Sequence, residues 1–231
     1  MKPLRLIHPR ELNNAGCRLL HPREVHSRQL VAETAKAFRM GPKIAPHRAA
    51  YEFYPTPPEA TRALLSAESF NGDIWEPACG EGHISKVFET AGHKVISTDL
   101  APCWGYGESN RDFLLERRPL APNIVTNPPY GRGLADAFVT HALRLTADTA
   151  GKVAMLLAIQ SLAHPQRHAF WTSRAPTVIY ALDECQCWPY GDPSRATTAI
   201  GKQRYCWVVW HADHKGPTSF RWLSTKPFRS P

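Results

Sequence analysis

This sequence has little that is continuously apolar. Its longest such run, Val153 to Ile159, is far short of the roughly 20 residues that span a bilayer. The N-terminus alternates charged and apolar residues and lacks the apolar core of a secretory signal, so none is expected. Six cysteines, at 17, 79, 103, 185, 187 and 206, fall into no disulfide framework, and a reduced, cytoplasmic setting is expected. Paired Cys-x-x-Cys hooks are missing too. Cys185, Cys187, Cys206, His211 and His214 could be drawn as a zinc site, but their spacing does not favour one and no metal is expected. Acidic residues are scarce in one place above all: residues 1–50 hold three Asp/Glu against ten Lys/Arg. The net charge of +8 over 231 residues therefore sits mainly in that segment, and the remainder is close to neutral.

Residues 1–50 accordingly read as a basic, flexible N-terminal extension. They contain an echo, "LIHPREL" at 6–12 and "LLHPREV" at 19–25, with His-Pro pairs that interrupt helix. Either the segment lies along phosphates, or it is a passive tail, or the chain starts at Met40. From Tyr51 the pattern alternates strand and helix. Strands are expected at 74–76, 94–98, 124–126 and 152–158, with helices at 83–91, 134–145 and 163–174. Strands at 177–182 and 204–210 follow without a helix between them. This order predicts one α/β domain over 51–231, a doubly wound, mostly parallel sheet with an antiparallel edge hairpin.

Three motifs carry chemistry. "IWEPACGEGHIS" at 74–85 is a strand, a turn containing Gly80 and Gly82, and a helix, the usual way to bring backbone close to a cofactor. Asp99 ends the next strand, where an acid can bind ribose hydroxyls. Asp112-Phe113 precedes the third strand and could grip the amino group and face of an adenine. That strand runs into Asn127-Pro128-Pro129-Tyr130, whose prolines cannot continue a ladder. An amide oxygen and a rigidly held carbonyl can accept both N–H bonds of a planar amine, freeing its lone pair for attack. Tyr130 would offer a face to a base drawn from its stack.

In this order, "EPACGEG", Asp99, "DF" and "NPPY" resemble class I S-adenosylmethionine-dependent methyltransferases of the amino-group type, with their Rossmann-like fold. "FYPTP" at 53–57 is similar to the segment covering the methionine end of the cofactor in such enzymes. The stretch 51–223 as a whole resembles small phage and prophage DNA methyltransferases, most often adenine-N6 specific, of a bacterial or phage-infected host. The resemblance implies S-adenosyl-L-methionine as cofactor, held by Tyr54, Thr56, Glu76, Ala78, Cys79, Gly80, Gly82, His83, Asp99, Asp112 and Phe113. It implies an acceptor base held by Asn127, Pro128, Pro129 and Tyr130, DNA as partner, and a chain taken as monomeric. Cys79 and His83 are variants within the turn, not catalytic groups. No separate target-recognition domain has room here, which leaves recognition to the loop 183–203 and the arm. There, Trp188-Pro189-Tyr190 could stack on bases or pack the loop, and Arg195, Lys202 and Arg204 could meet phosphate. Cytosine N4, RNA adenine, a protein glutamine, or a silent nucleic-acid-binding module remain the alternatives.

Overall fold

Seven strands form one sheet in the order β2-β1-β3-β4-β6-β5-β7. The computed structural model describes residues 49–195 and 202–229, which fall within the unit Gly41–Pro231. Residues 1–48 of the basic extension and residues 196–201 of the 183–203 loop lie outside the described residues. The strands are β1 (Ile74–Glu76), β2 (Val95–Ser97), β3 (Asn123–Thr126), β4 (Lys152–Ala158), β5 (Val178–Leu182), β6 (Tyr205–His211) and β7 (Ser219–Leu223). The pairs β1/β2, β1/β3 and β3/β4 are parallel. β6 runs antiparallel to both β4 and β5, and β7 is parallel to β5. The antiparallel pair expected from the sequence is therefore present, with β6 inserted between β4 and β5. β7, which the sequence pattern does not signal, takes the edge.

Burial follows the pleat. Ala154 and Leu156 of β4, Trp207 and Val209 of β6, and Val178 and Tyr180 of β5 share one face. Helix α1 (Pro58–Ala67) and α2 (His83–Thr90) cover it with Ala60, Leu64, Ile84 and Phe88. α1 opens on Pro58, whose missing N–H costs nothing in a first turn. The Trp207 indole N–H donates to the Ala60 carbonyl at 2.9 Å, pinning α1 to the sheet. α3 (Leu134–Leu145) covers the other face through Phe138, Val139 and Ala142. At the foot of the sheet the buried Glu68 carboxylate accepts from Lys152 Nζ at 2.6 Å and Tyr180 OH at 2.8 Å, and lies 3.1 Å from His211 Nε2. One side chain thus joins the end of α1 to three strands.

The helix expected over 163–174 is broken. Pro165 cannot continue an i→i−4 ladder. The chain instead makes short 3-10 turns at Ile159–Ala163 and Pro165–Arg167 before α4 (His168–Ser173).

Candidate active site

The parallel strands β1, β3 and β4 end on one edge of the sheet, and the sequence motifs gather there. Glu76 closes β1 at 2% exposure. Its carboxylate accepts from the Ser85 amide at 2.8 Å and from the Ser85 hydroxyl, which meets the Ser97 hydroxyl at 2.6 Å. Burial pushes the Glu76 carboxyl up to about 8, more than these hydrogen bonds lower it. The turn after it runs through Gly80 (φ +51°) and Gly82 (φ +78°), a conformation only glycine adopts cheaply. A Cβ on Gly80 would lie 2.6 Å from the Phe53 ring, and one on Gly82 2.3 Å from the Tyr106 ring. Aromatic rings therefore cover the turn directly.

Asp99 stands just past β2. Its two oxygens accept the amides of Gly80 at 2.8 Å and Ala101 at 2.7 Å. Burial raises its pKa, with those amides opposing. Ala78 lies within the same turn. The Cys79 thiol is buried and donates to the Tyr106 carbonyl at 3.4 Å, and burial pushes its pKa up. His83 begins α2, its ring 6.2 Å from Phe53, with its pKa lowered by burial. Thr56 is buried with no partner for its hydroxyl oxygen. Asp112 caps a short turn, accepting the Leu114 amide at 3.0 Å. Phe113, the next residue, belongs to the core. At 2% exposure it packs between Trp75, Phe138 and His141, with ring centroids 5.1, 4.8 and 4.9 Å away. It supports Asp112 from the core.

At the end of β3 the Asn127 amide is held from two sides. Its Nδ2 donates to the Tyr54 carbonyl at 2.9 Å, while its Oδ1 accepts from the Tyr130 hydroxyl. The same hydroxyl lies 2.9 Å from the Leu156 carbonyl. Tyr130 packs against the core, its ring 6.2 Å from Tyr205, and burial drives its pKa well up. The ring is half-buried, with its hydroxyl engaged on Asn127. Pro128 is buried and Pro129 half-buried.

Segment 53–57 and the Trp188–Tyr190 run, both marked in the sequence, meet here, joined by Trp104 and Tyr106, which the sequence did not single out. Phe53 stacks on Trp104 at 4.1 Å, and its carbonyl accepts the Tyr190 amide at 3.1 Å. Tyr190 lies 6.3 Å from Phe53, with Arg195 over its ring at 5.0 Å. Pro55 lies against Gly191. Segment 53–56 therefore touches the glycine turn, Asn127 and the 183–195 loop together. The signal for Trp104 and Tyr106 was the "CWGYG" run just after Asp99, aromatic residues set between glycines.

No protein-family model and no curated protein matches the sequence. Solved structures do match. A candidate class I S-adenosylmethionine-dependent methyltransferase from Listeria monocytogenes superposes with a TM-score of 0.53 at 13% identity, over 86% of this chain and 73% of its own. The modification subunit of a candidate type I restriction enzyme from Vibrio vulnificus gives 0.49 at 16% identity, over 88% of this chain and 52% of its own. The 1,6-didemethyltoxoflavin-N1-methyltransferase of Burkholderia thailandensis, with S-adenosylhomocysteine bound, gives 0.40 at 12% identity, over 85% and 92%. With the Listeria structure as its match, the α/β sheet described above is a Rossmann-like fold of the class I methyltransferase kind.

Proposed function

We propose that residues 51–231 form an S-adenosylmethionine-dependent DNA methyltransferase domain that methylates the N6 amino group of adenine in a flipped-out base. The observation that carries this reading is the Asn127 amide. An amide has one accepting and one donating end, and a target amino group needs the accepting one. Donation from Nδ2 to the Tyr54 carbonyl fixes that polarity. Oδ1, though it accepts from Tyr130, keeps a second lone pair. With the Pro128 carbonyl beside it, the pair can draw both N–H bonds of a planar amine away from conjugation, so that its lone pair attacks.

The groove beside it fits the cofactor. The glycine turn admits close backbone approach, Asp99 stands at a strand end for ribose hydroxyls, and the buried Thr56 hydroxyl lacks a partner. When bound, S-adenosylmethionine supplies a methyl group on a sulfonium sulfur. Tyr54, Thr56 and the 76–83 turn would hold its methionine end, and Asp99 and Asp112 its nucleoside. DNA as the acceptor rests on the sequence resemblance and on the net charge of +8.

Nucleoside mass spectrometry after incubation with S-adenosylmethionine and duplex DNA, single-stranded DNA or RNA tests this. N6-methyladenine in DNA, absent with Asn127→Ala, is expected. N4-methylcytosine would change the base and leave the chemistry; a product in RNA alone would replace the substrate. No modified nucleoside in any of the three would overturn the reading.

A further inference from the structure

The edge of the sheet beyond β5 carries a feature that methyl transfer at Asn127 does not use. Trp222 on β7 is 79% exposed and Phe220 47%, their rings packed edge to face with centroids 5.2 Å apart. Two residues apart on a strand, they share one face. An exposed aromatic pair on an open sheet edge invites aggregation unless something uses it. The surroundings are cationic. Residues 214–231 contain Lys215, Arg221, Lys226 and Arg229 and no Asp or Glu. Arg221, between the two rings, points to the opposite face, where it meets Tyr180. Arg229 pairs with Glu184, and Arg62 on α1 donates to the Phe228 carbonyl at 3.1 Å.

Direction decides what this edge can reach. β5 is antiparallel to β6, as is β4, so β7, parallel to β5, ends on the same side of the sheet as β3 and Asn127. The path from β3 through β4, β6 and β5 to β7 is four inter-strand steps, or about 19 Å. A nucleic-acid strand with one base at Asn127 can cover that distance within a few nucleotides.

We propose that Phe220 and Trp222 form an accessory platform on which unpaired bases stack, engaging the strand whose acceptor base sits at Asn127. This rests on the nucleic-acid reading above. Charge selects the occupant. The acids at this end of the edge, Asp183 and Glu184, are already engaged by Thr225 and Arg229, so a second copy would meet Lys226 with no open acid there, and residues 1–50 of the chain itself are strongly basic. Nucleic acid supplies a phosphate for Lys226 and π-faces for both rings, a pairing that tolerates any sequence.

The test is fluorescence anisotropy of the full chain with a labelled single strand of about 20 nucleotides, several times the span of a single site, and with a blunt duplex of the same length. Native protein is compared with the Phe220→Ala/Trp222→Ala variant across a salt series. Both side chains are exposed, so the variant keeps its core, and melting temperature checks this. Single-strand affinity falls roughly tenfold at every salt concentration, because rings release no counterions, while duplex affinity is unchanged. Equal single-strand affinity in the two proteins overturns the platform and leaves the methyltransferase reading standing. A change from dimer to monomer by light scattering overturns it by giving the edge to a second copy. If native protein binds neither nucleic acid, the platform falls together with the substrate class.

Discussion

Asn127 is useful only while its amide points the right way, and two groups hold it so: the Tyr54 carbonyl and the Tyr130 hydroxyl. Asn127→Ala removes the acceptor and is expected to lower the methyl-transfer rate about 100-fold or more, the scale of losing one preorganised polar group. Cofactor affinity, read by calorimetry, stays the same. Tyr130→Phe separates two roles for that ring. If Tyr130 acts only by stacking, turnover survives; if its hydroxyl positions Asn127, kcat falls about tenfold with KM little changed, the cost of one neutral hydrogen bond. The positioning outcome is expected, since the ring packs inward against the core. Glu76 adds a pH signature. Its folded pKa of about 8 stands above the ordinary 4.5, so between those values the folded protein holds a proton that the unfolded chain has released. Its contribution to stability is full below the ordinary value and is lost as pH rises through about 8. Thermal melts from pH 5 to 9 are expected to show Glu76→Gln gaining on the native protein as pH rises. Parallel curves for the two would remove Glu76 as the cause.

At the scale of elements, segment 53–56 is a crossbar: the Phe53 ring covers Gly80, its carbonyl holds the 190 loop, and the Tyr54 carbonyl holds Asn127. Gly80→Ala forces a Cβ into the Phe53 ring at a left-handed φ and is expected to cost about 1–3 kcal/mol in denaturant melts. Phe53→Ala in the same chain recovers the steric share, so the double variant costs less than the two single changes added together. Strict additivity would mean that the ring moves aside freely. The crossbar also shows what the sequence could and could not reveal. β4 and β6 were legible because they are apolar on both faces, and the glycine turn and Asn127-Pro128-Pro129-Tyr130 because few residue orders serve those corners. β7 was not, since Ser219–Leu223 is almost wholly exposed and shows no burial alternation. The break at Pro165 was visible in principle, since proline cannot continue a helix interior. The anchoring of the Tyr130 hydroxyl and the burial of Phe113 depend on partners far along the chain, Leu156 for one and Phe138 for the other. No local pattern carries that information.

For the molecule as a whole, charge and chemistry occupy different parts of the chain. Residues 1–50 hold ten of its basic residues against three acids, whereas the catalytic candidates all lie beyond Tyr51. If the basic segment supplies the phosphate contacts, it should set how binding responds to salt and leave the chemistry alone. The compact unit Gly41–Pro231 provides the comparison. Each phosphate neutralised on a single strand contributes a slope of about −0.7 to log affinity against log salt. Removing residues 1–40, with eight Lys/Arg and three Asp/Glu, is expected to flatten that slope by about 2, equivalent to roughly three contacts. Turnover at saturating oligonucleotide should remain within about twofold, since a uniform loss of binding affects KM and not the transition state. An unchanged slope would mean that the segment touches no phosphate, and the salt dependence would then belong to Lys226 and other basic residues of the domain.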